Sequence, residues 1–421
     1  MNKREFIKQA GMLSIGAGMG FSKLDHLLAN VADTTPEALA SDEDFWLAIR
    51  NGYALKQDYI NLENGYYCIQ PTEVLEAYMR HLRDINLQGA FYMRTVQNEN
   101  KLKVAARLAA VAGCSADELI ITRNTTESLD MIIGGTHWEA GDEAVMAEQD
   151  YGAMLDMFEQ VSKRYGMVNK RVSLPINPSS DEEIVRLYEK AITSKTKLLM
   201  VCHMVNITGQ ILPVKKICDM AHAKGVKVMV DGAHTFAHLN FKIPDLHCDF
   251  FGCSLHKWLS APLGAGLLYV KKEHVSSIWP LLAETEKKPD DIARLNHTGT
   301  IPVHTDLAIL DAIAFYEKIG VERKMQRLKF LQNYWRHKVS GIKNIVFNTP
   351  DDDARSCAIA NVGISHLSPA AMAERLFKQY NIYTVAIDGK GVKGCRITPN
   401  LYTTTTELDS LVKALTEMAS A

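Results

Sequence analysis

Val226-Lys227-Val228-Met229-Val230-Asp231-Gly232-Ala233-His234, and then Cys248-Asp249-Phe250-Phe251-Gly252-Cys253-Ser254-Leu255-His256-Lys257, decide how this chain is read. Each stretch is a short apolar run that stops on residues able to do chemistry. A carboxylate at the end of an apolar strand, Asp231, needs a cationic or strongly donating partner, because burial penalises an unpaired charge. Lysine directly after a buried strand is unusual in composition. Desolvation lowers the pKa of such a lysine and makes Lys257 a nucleophile able to form a Schiff base. Asp231 and Lys257 stand 26 residues apart, room for one crossover and one more strand, so both reach one crevice.

Outward from this pair the pattern repeats. Strand-like Glu118–Thr122, Glu143–Ala147 and Lys197–His203 are followed by helix-like Glu127–Ile133, Met154–Tyr165 and Val214–Lys224, and Gly266–Val270 completes the series. Strands alternating with helices predict an α/β fold with a largely parallel sheet covered on both faces. Glu73–Leu87 and Lys101–Ala112 add helices ahead of the series. After about Asn296 the texture changes to helix-rich Leu307–Trp335 and short strands near Ile359–Ile364 and Ile382–Ile387. The expected division is a large domain over 76–295 and a smaller α+β domain over 296–421, with 41–75 as the latter's N-terminal segment.

Sites in such sheets lie beyond the carboxyl ends of the strands, and the other strand ends also carry polar groups. Thr122-Arg123-Asn124-Thr125-Thr126-Glu127 offers hydroxyls and a helix N-terminus suited to a phosphate. Tyr151 follows Glu143–Ala147 and offers a ring for stacking. His203-Met204-Val205-Asn206-Ile207-Thr208-Gly209 offers an amide and a hydroxyl. Taken singly, these are also what a capped helix, a core tyrosine, a polar turn and a snorkelling lysine look like. Together they form one device: an acid for a pyridinium nitrogen, a lysine for a Schiff base, an aromatic for the ring and hydroxyls for a phosphate. Those are the parts that pyridoxal 5'-phosphate requires.

Composition agrees with a soluble-type globular chain. Of 421 residues 47% are apolar and 23% charged, and the formal charge is −2. No excess of basic charge points to nucleic acid. The eight cysteines form no C-x-x-C pair and read as buried small hydrophobes. No G-x-G-x-x-G follows a strand, which disfavours a nicotinamide dehydrogenase. No run is long enough for a stable membrane span. The start, Lys3-Arg4-Glu5-Phe6-Ile7-Lys8 and an apolar stretch to Phe21, reads as an export signal over 1–40 of twin-arginine type, with Ala38-Leu39-Ala40 as the cleavage site. The other reading is an amphipathic helix of a cytoplasmic protein.

The order of the motifs Thr122–Glu127, Asn206-Ile207-Thr208-Gly209-Gln210, Val230–His234, Ser254–Trp258, Thr298-Gly299-Thr300 and Arg396-Ile397-Thr398-Pro399 resembles the class V aminotransferase family, of the pyridoxal phosphate-dependent fold type I, nearest the isopenicillin N epimerase-like branch. The resemblance implies that Lys257 carries the Schiff base and shuttles the proton, and that Asp231 keeps the ring nitrogen protonated. It implies that Tyr151 stacks on the ring, that Asn206 and His234 lie near the ring hydroxyl, and that Thr125, Thr126, Ser254 and His256 hold the phosphate. Thr300 would reach the phosphate of a neighbouring subunit in a homodimer, and Arg396 would pair with a substrate carboxylate. Ile301 stands where many relatives have arginine. The implied activity is that of an aminotransferase or epimerase on an amino acid or amine. The alternatives are a C–S lyase or cysteine desulfurase-like enzyme, and a non-catalytic exported binding protein on the same fold. Desulfurases of the family need a cysteine on the loop before the arginine; Asp388–Gly394 has none, and strand alternation turns Cys395 away from Arg396.

Overall fold

The computed structural model describes residues 20–421. The Lys3–Lys8 start and most of the apolar stretch after it lie outside the described residues. In chain order the strands are β1 (Ile60–Asn61), β2 (Leu119–Thr122), β3 (Glu143–Ala147), β4 (Val168–Val172), β5 (Thr196–Cys202), β6 (Lys227–Asp231), β7 (Phe250–Ser254), β8 (Gly266–Val270), β9 (Ile345–Phe347), β10 (Ala360–Ile364), β11 (Ile382–Tyr383), β12 (Val385–Gly389) and β13 (Val392–Ile397). Seven of them form the main sheet in the order β2-β8-β7-β6-β5-β3-β4. Its strands are parallel except β8, which runs antiparallel to both neighbours.

Alternation within the strands explains why both faces are covered. Val145, Ala147, Leu199, Val201, Val228 and Val230 belong to one apolar core. Their neighbours Ala144, Met146, Leu198, Met200 and Met229 belong to the core on the opposite face. The chain leaves β3 toward β4 at one edge, then returns to place β5 on the other side of β3. That reversal opens a crevice at the carboxyl ends of β3, β5 and β6.

The second sheet, β12-β13-β10-β9, is antiparallel and packs on the helices Val321–Val339, Pro369–Tyr380 and Thr405–Ser420 around a third core that includes Trp335, Leu376 and Leu411. The N-terminal segment is tied to it, since β1 pairs in parallel with β11. Ala38-Leu39-Ala40 is part of the helix Pro36–Ala40, Leu39 is 0% exposed, and its carbonyl accepts the Trp46 indole N–H at 2.8 Å. A cut before Ser41 would strip a core residue. Among the described residues no helix is long and apolar enough to cross a membrane.

Candidate active site

The ends of β6 and β7 carry the acid and the amine into the crevice. Asp231 ends β6, opposite Gly252 of β7, and Ser254 ends β7 three residues before Lys257. The buried Asp231 carboxylate accepts the Ala233 backbone N–H at 2.9 Å, and among the described residues no cationic side chain touches it. Burial raises its pKa, the Ala233 bond lowers it, and the charge of Lys257 lowers it further. A buried carboxylate in this state fits a protonated ring nitrogen.

Lys257 is half-buried, and burial around its amine lowers the pKa to about 8; Asp231 opposes the shift and Arg396 adds to it. At pH 7 about a tenth of such an amine is neutral, against less than about a thousandth for an ordinary lysine. Its Nζ lies 3.2 Å from His234 Nε2. The indole N–H of Trp258 reaches His234 Nδ1 at 3.4 Å. An indole N–H only donates, so Nδ1 accepts and the neutral ring carries its proton on Nε2. That N–H then points at Lys257, whose neutral amine is the form that accepts it. Burial, with the charge of Lys257 next, holds His234 far below the usual histidine range, which keeps the ring neutral. His238 fixes the group from behind: its Nδ1 lies 2.7 Å from the His234 carbonyl and its ring stacks on Trp258 at 3.8 Å. The resemblance sets His234 beside the ring hydroxyl; in the structure its ring meets Lys257 and Trp258.

The phosphate set gathers around the start of the helix Thr125–Gly135. Asn124 caps it, its side chain accepting the Glu127 N–H at 2.9 Å. Ser254 Oγ accepts the Thr125 N–H at 2.9 Å and lies 2.8 Å from Thr125 Oγ1. Gly266 permits this approach, because a Cβ there would lie 2.6 Å from Asn124 N. Among the described residues His256 Nδ1, although buried, has no hydrogen-bond partner. An orphaned imidazole nitrogen, two hydroxyls and a helix N-terminus fit a phosphate. Thr126 is half-buried, Tyr151 is 45% exposed and Thr300 is exposed; among the described residues their side chains make no hydrogen bond to this group.

Three features were beyond the sequence reading. The Arg396 guanidinium gives its Nε and Nη2 edge to Glu63 (Nε to Oε2 3.3 Å, with Nη2 on Oε1) and its Nη1 to the Asn206 carbonyl at 3.0 Å. The edge expected to meet a substrate carboxylate is therefore held within the chain. Lys390, at the β12–β13 turn, donates to the Asp150 carbonyl, next to Tyr151. Lys324 is buried, donates to the Trp258 carbonyl, and has its pKa lowered to about 8 by burial. Glu63 lies 333 residues from Arg396, and nothing local announces the pairing.

A buried carboxylate, an amine of lowered pKa and a hydroxyl-lined helix start are a set that fits pyridoxal 5'-phosphate, and the protein is a pyridoxal phosphate-dependent enzyme on an α/β sheet. The family described as Aminotransferase class-V matches residues 68–411, and the chain belongs to it. Isopenicillin N epimerase of Amycolatopsis lactamdurans is 27% identical over 332 residues, 74% of this chain and 83% of that protein. A probable cysteine desulfurase of Halalkalibacterium halodurans is 26% identical over 375 residues, 82% of this chain and 89% of that protein. The apo cysteine desulfurase of Thermococcus onnurineus NA1 superposes with a TM-score of 0.78 at 18% identity, covering 88% of this chain and 97% of that one.

Proposed function

We propose that this enzyme acts on a small amine or amino acid through Lys257, as an aminotransferase or epimerase. The observation that carries the reading is the Trp258–His234–Lys257 chain of contacts, which favours a neutral amine at the strand end. When bound, the cofactor supplies the electron withdrawal that weakens bonds at the carbon bearing the substrate's amino group. Lys257, in its neutral form, takes a proton from that carbon and returns it to the same or another position. Asp231 holds a proton on the ring nitrogen. Thr125, Thr126, Ser254 and His256 would hold the phosphate, Tyr151 would stack on the ring, and Asn206 and His234 would lie near the ring hydroxyl.

The cysteines favour this over desulfurase chemistry. Cys395 is fully buried in the small-sheet core, and burial pushes its thiol up to about 11. Cys68, nearer the site, is likewise buried and pushed up to about 12. Neither supplies the thiolate that attacks a substrate sulfur. Incubating the holoenzyme with a panel of amino acids and amines tests the proposal. Release of a carbonyl product or loss of optical activity is expected. Rapid persulfide on Cys395 with free cysteine would move the enzyme to the desulfurase class.

Exposed Leu87, Phe91, Leu102, Trp279, Leu281 and Leu282, together with exposed Thr300, support a homodimer that completes the phosphate site. Light scattering of the holoenzyme should give twice the chain mass, and a monomer with full activity would exclude a shared site. The basic start supports export, with any cleavage upstream of Pro36 because Leu39 is core. N-terminal sequencing of the native protein, after fractionation, decides it: a full-length chain confined to the cytoplasm excludes export.

A further inference from the structure

The surroundings of Arg396 say what kind of substrate the site takes. A free arginine fork binds a carboxylate through two parallel N–H bonds. Here the Nε–Nη2 edge already makes that contact, with a carboxylate of the same chain, and both side chains are almost fully buried. Nη1 gives one of its two N–H groups to the Asn206 carbonyl. The flat face is backed by Gly65, where an added Cβ would lie 3.0 Å from Arg396 Cζ.

Glu63 is not a loose surface carboxylate that has swung in. Its backbone pairs in parallel with Thr398, two residues beyond Arg396. The Thr398 N–H donates to the Leu62 carbonyl at 2.8 Å, and the Gly65 N–H donates to Thr398 Oγ1 at 3.0 Å. Asn61 Oδ1 accepts the Glu63 N–H at 3.1 Å, and Asn64 Oδ1 accepts the Tyr402 hydroxyl at 2.5 Å. The strap 61–65 is thus bonded along the strand end that carries Arg396, and Glu63 is fixed against the guanidinium.

A substrate carboxylate reaching Arg396 meets a cation whose charge is already compensated and whose Nε–Nη2 edge is taken. It also lies beside a second carboxylate, and like charges in close juxtaposition penalise binding. An amine without a carboxylate on its amino carbon meets neither penalty. We propose that Glu63 determines specificity here, turning the site toward amines that lack an α-carboxylate. The inference rests on the reading that Lys257 and the cofactor carry the reaction, and deepens it.

The test compares the wild-type holoenzyme with Glu63→Gln, which keeps an acceptor for Arg396 but removes the charge. Propionate, a carboxylate with no amino group, is titrated by calorimetry. Ethylamine and L-alanine are compared as substrates. The expected result is weak propionate binding by the wild type, binding at least about tenfold tighter by Glu63→Gln, and a shift of the ethylamine-to-alanine kcat/KM ratio toward alanine by a similar factor. Equal or weaker propionate binding by Glu63→Gln overturns the proposal and leaves Glu63 as a positioning residue for Arg396. If the variant does not fold, the wild type alone decides, because a preference for L-alanine over ethylamine overturns the proposal. Failure of the Lys257 reading shows differently. The cofactor then fails to become fixed to Lys257 on borohydride reduction, while propionate titration still reports on the Arg396 fork.

Discussion

Arg396→Ala should lower the unfolding free energy by about 3–5 kcal/mol, the usual cost of stranding one partner of a buried ion pair. The stranded group is Glu63, 8% exposed and held in place by the strap along Thr398. Removing both charges, in Glu63→Ala/Arg396→Ala, should recover much of the loss, because no buried charge then remains unpaired. Denaturant midpoints of the single and double variants form a double-mutant cycle whose coupling should exceed about 2 kcal/mol, within the range for contacting residues. Additive effects would mean that the pair contributes little and that Glu63 is free to leave the arginine.

Asp231→Asn should cut turnover by at least about 10²-fold, the scale of losing one preorganised charged group at a reacting centre. The change keeps the shape of the side chain and its bond to the Ala233 N–H within reach. What it removes is the negative charge that keeps a ring nitrogen protonated. Cofactor retention should therefore fall much less than kcat. Absorbance of the loaded protein and steady-state rates, measured on the same preparation, separate the two. An asparagine variant that turns over normally would remove Asp231 from the catalytic set.

How much of this was legible in the chain depends on where each signal resides. Glu143–Ala147 and Gly266–Val270 match the boundaries of β3 and β8, because a strand buried on both faces is written as a continuous apolar run. β4, Val-Asn-Lys-Arg-Val, escaped notice: it is an edge strand, and its charged residues are tolerated because one edge meets no partner strand. The crevice was legible through Asp231 and the Ser254–Lys257 stretch, since polar residues ending apolar runs stand out within a few positions. The Thr125–Ser254 contact could be named only as two separate candidates, because 129 residues separate them. The Glu63–Arg396 pair was invisible for the same reason, and a glutamate in Leu62-Glu63-Asn64-Gly65 looks like any turn residue. Small-x-small at Ala38-Leu39-Ala40 also describes a short helix whose middle residue is buried, so the local pattern does not separate the two.

Lys257 is the residue expected to hold the cofactor. Among the described residues Lys324 is the rival to test: it is buried and likewise lowered to about 8, with its ammonium donating to the Trp258 carbonyl. Reduction of the holoenzyme with borohydride, digestion and mass mapping of the phosphopyridoxyl group distinguishes them. The label is expected on the peptide containing Ser254-Leu255-His256-Lys257, and Lys257→Ala should abolish it. A label on Lys324 or any other lysine, with turnover intact in Lys257→Ala, would contradict the account.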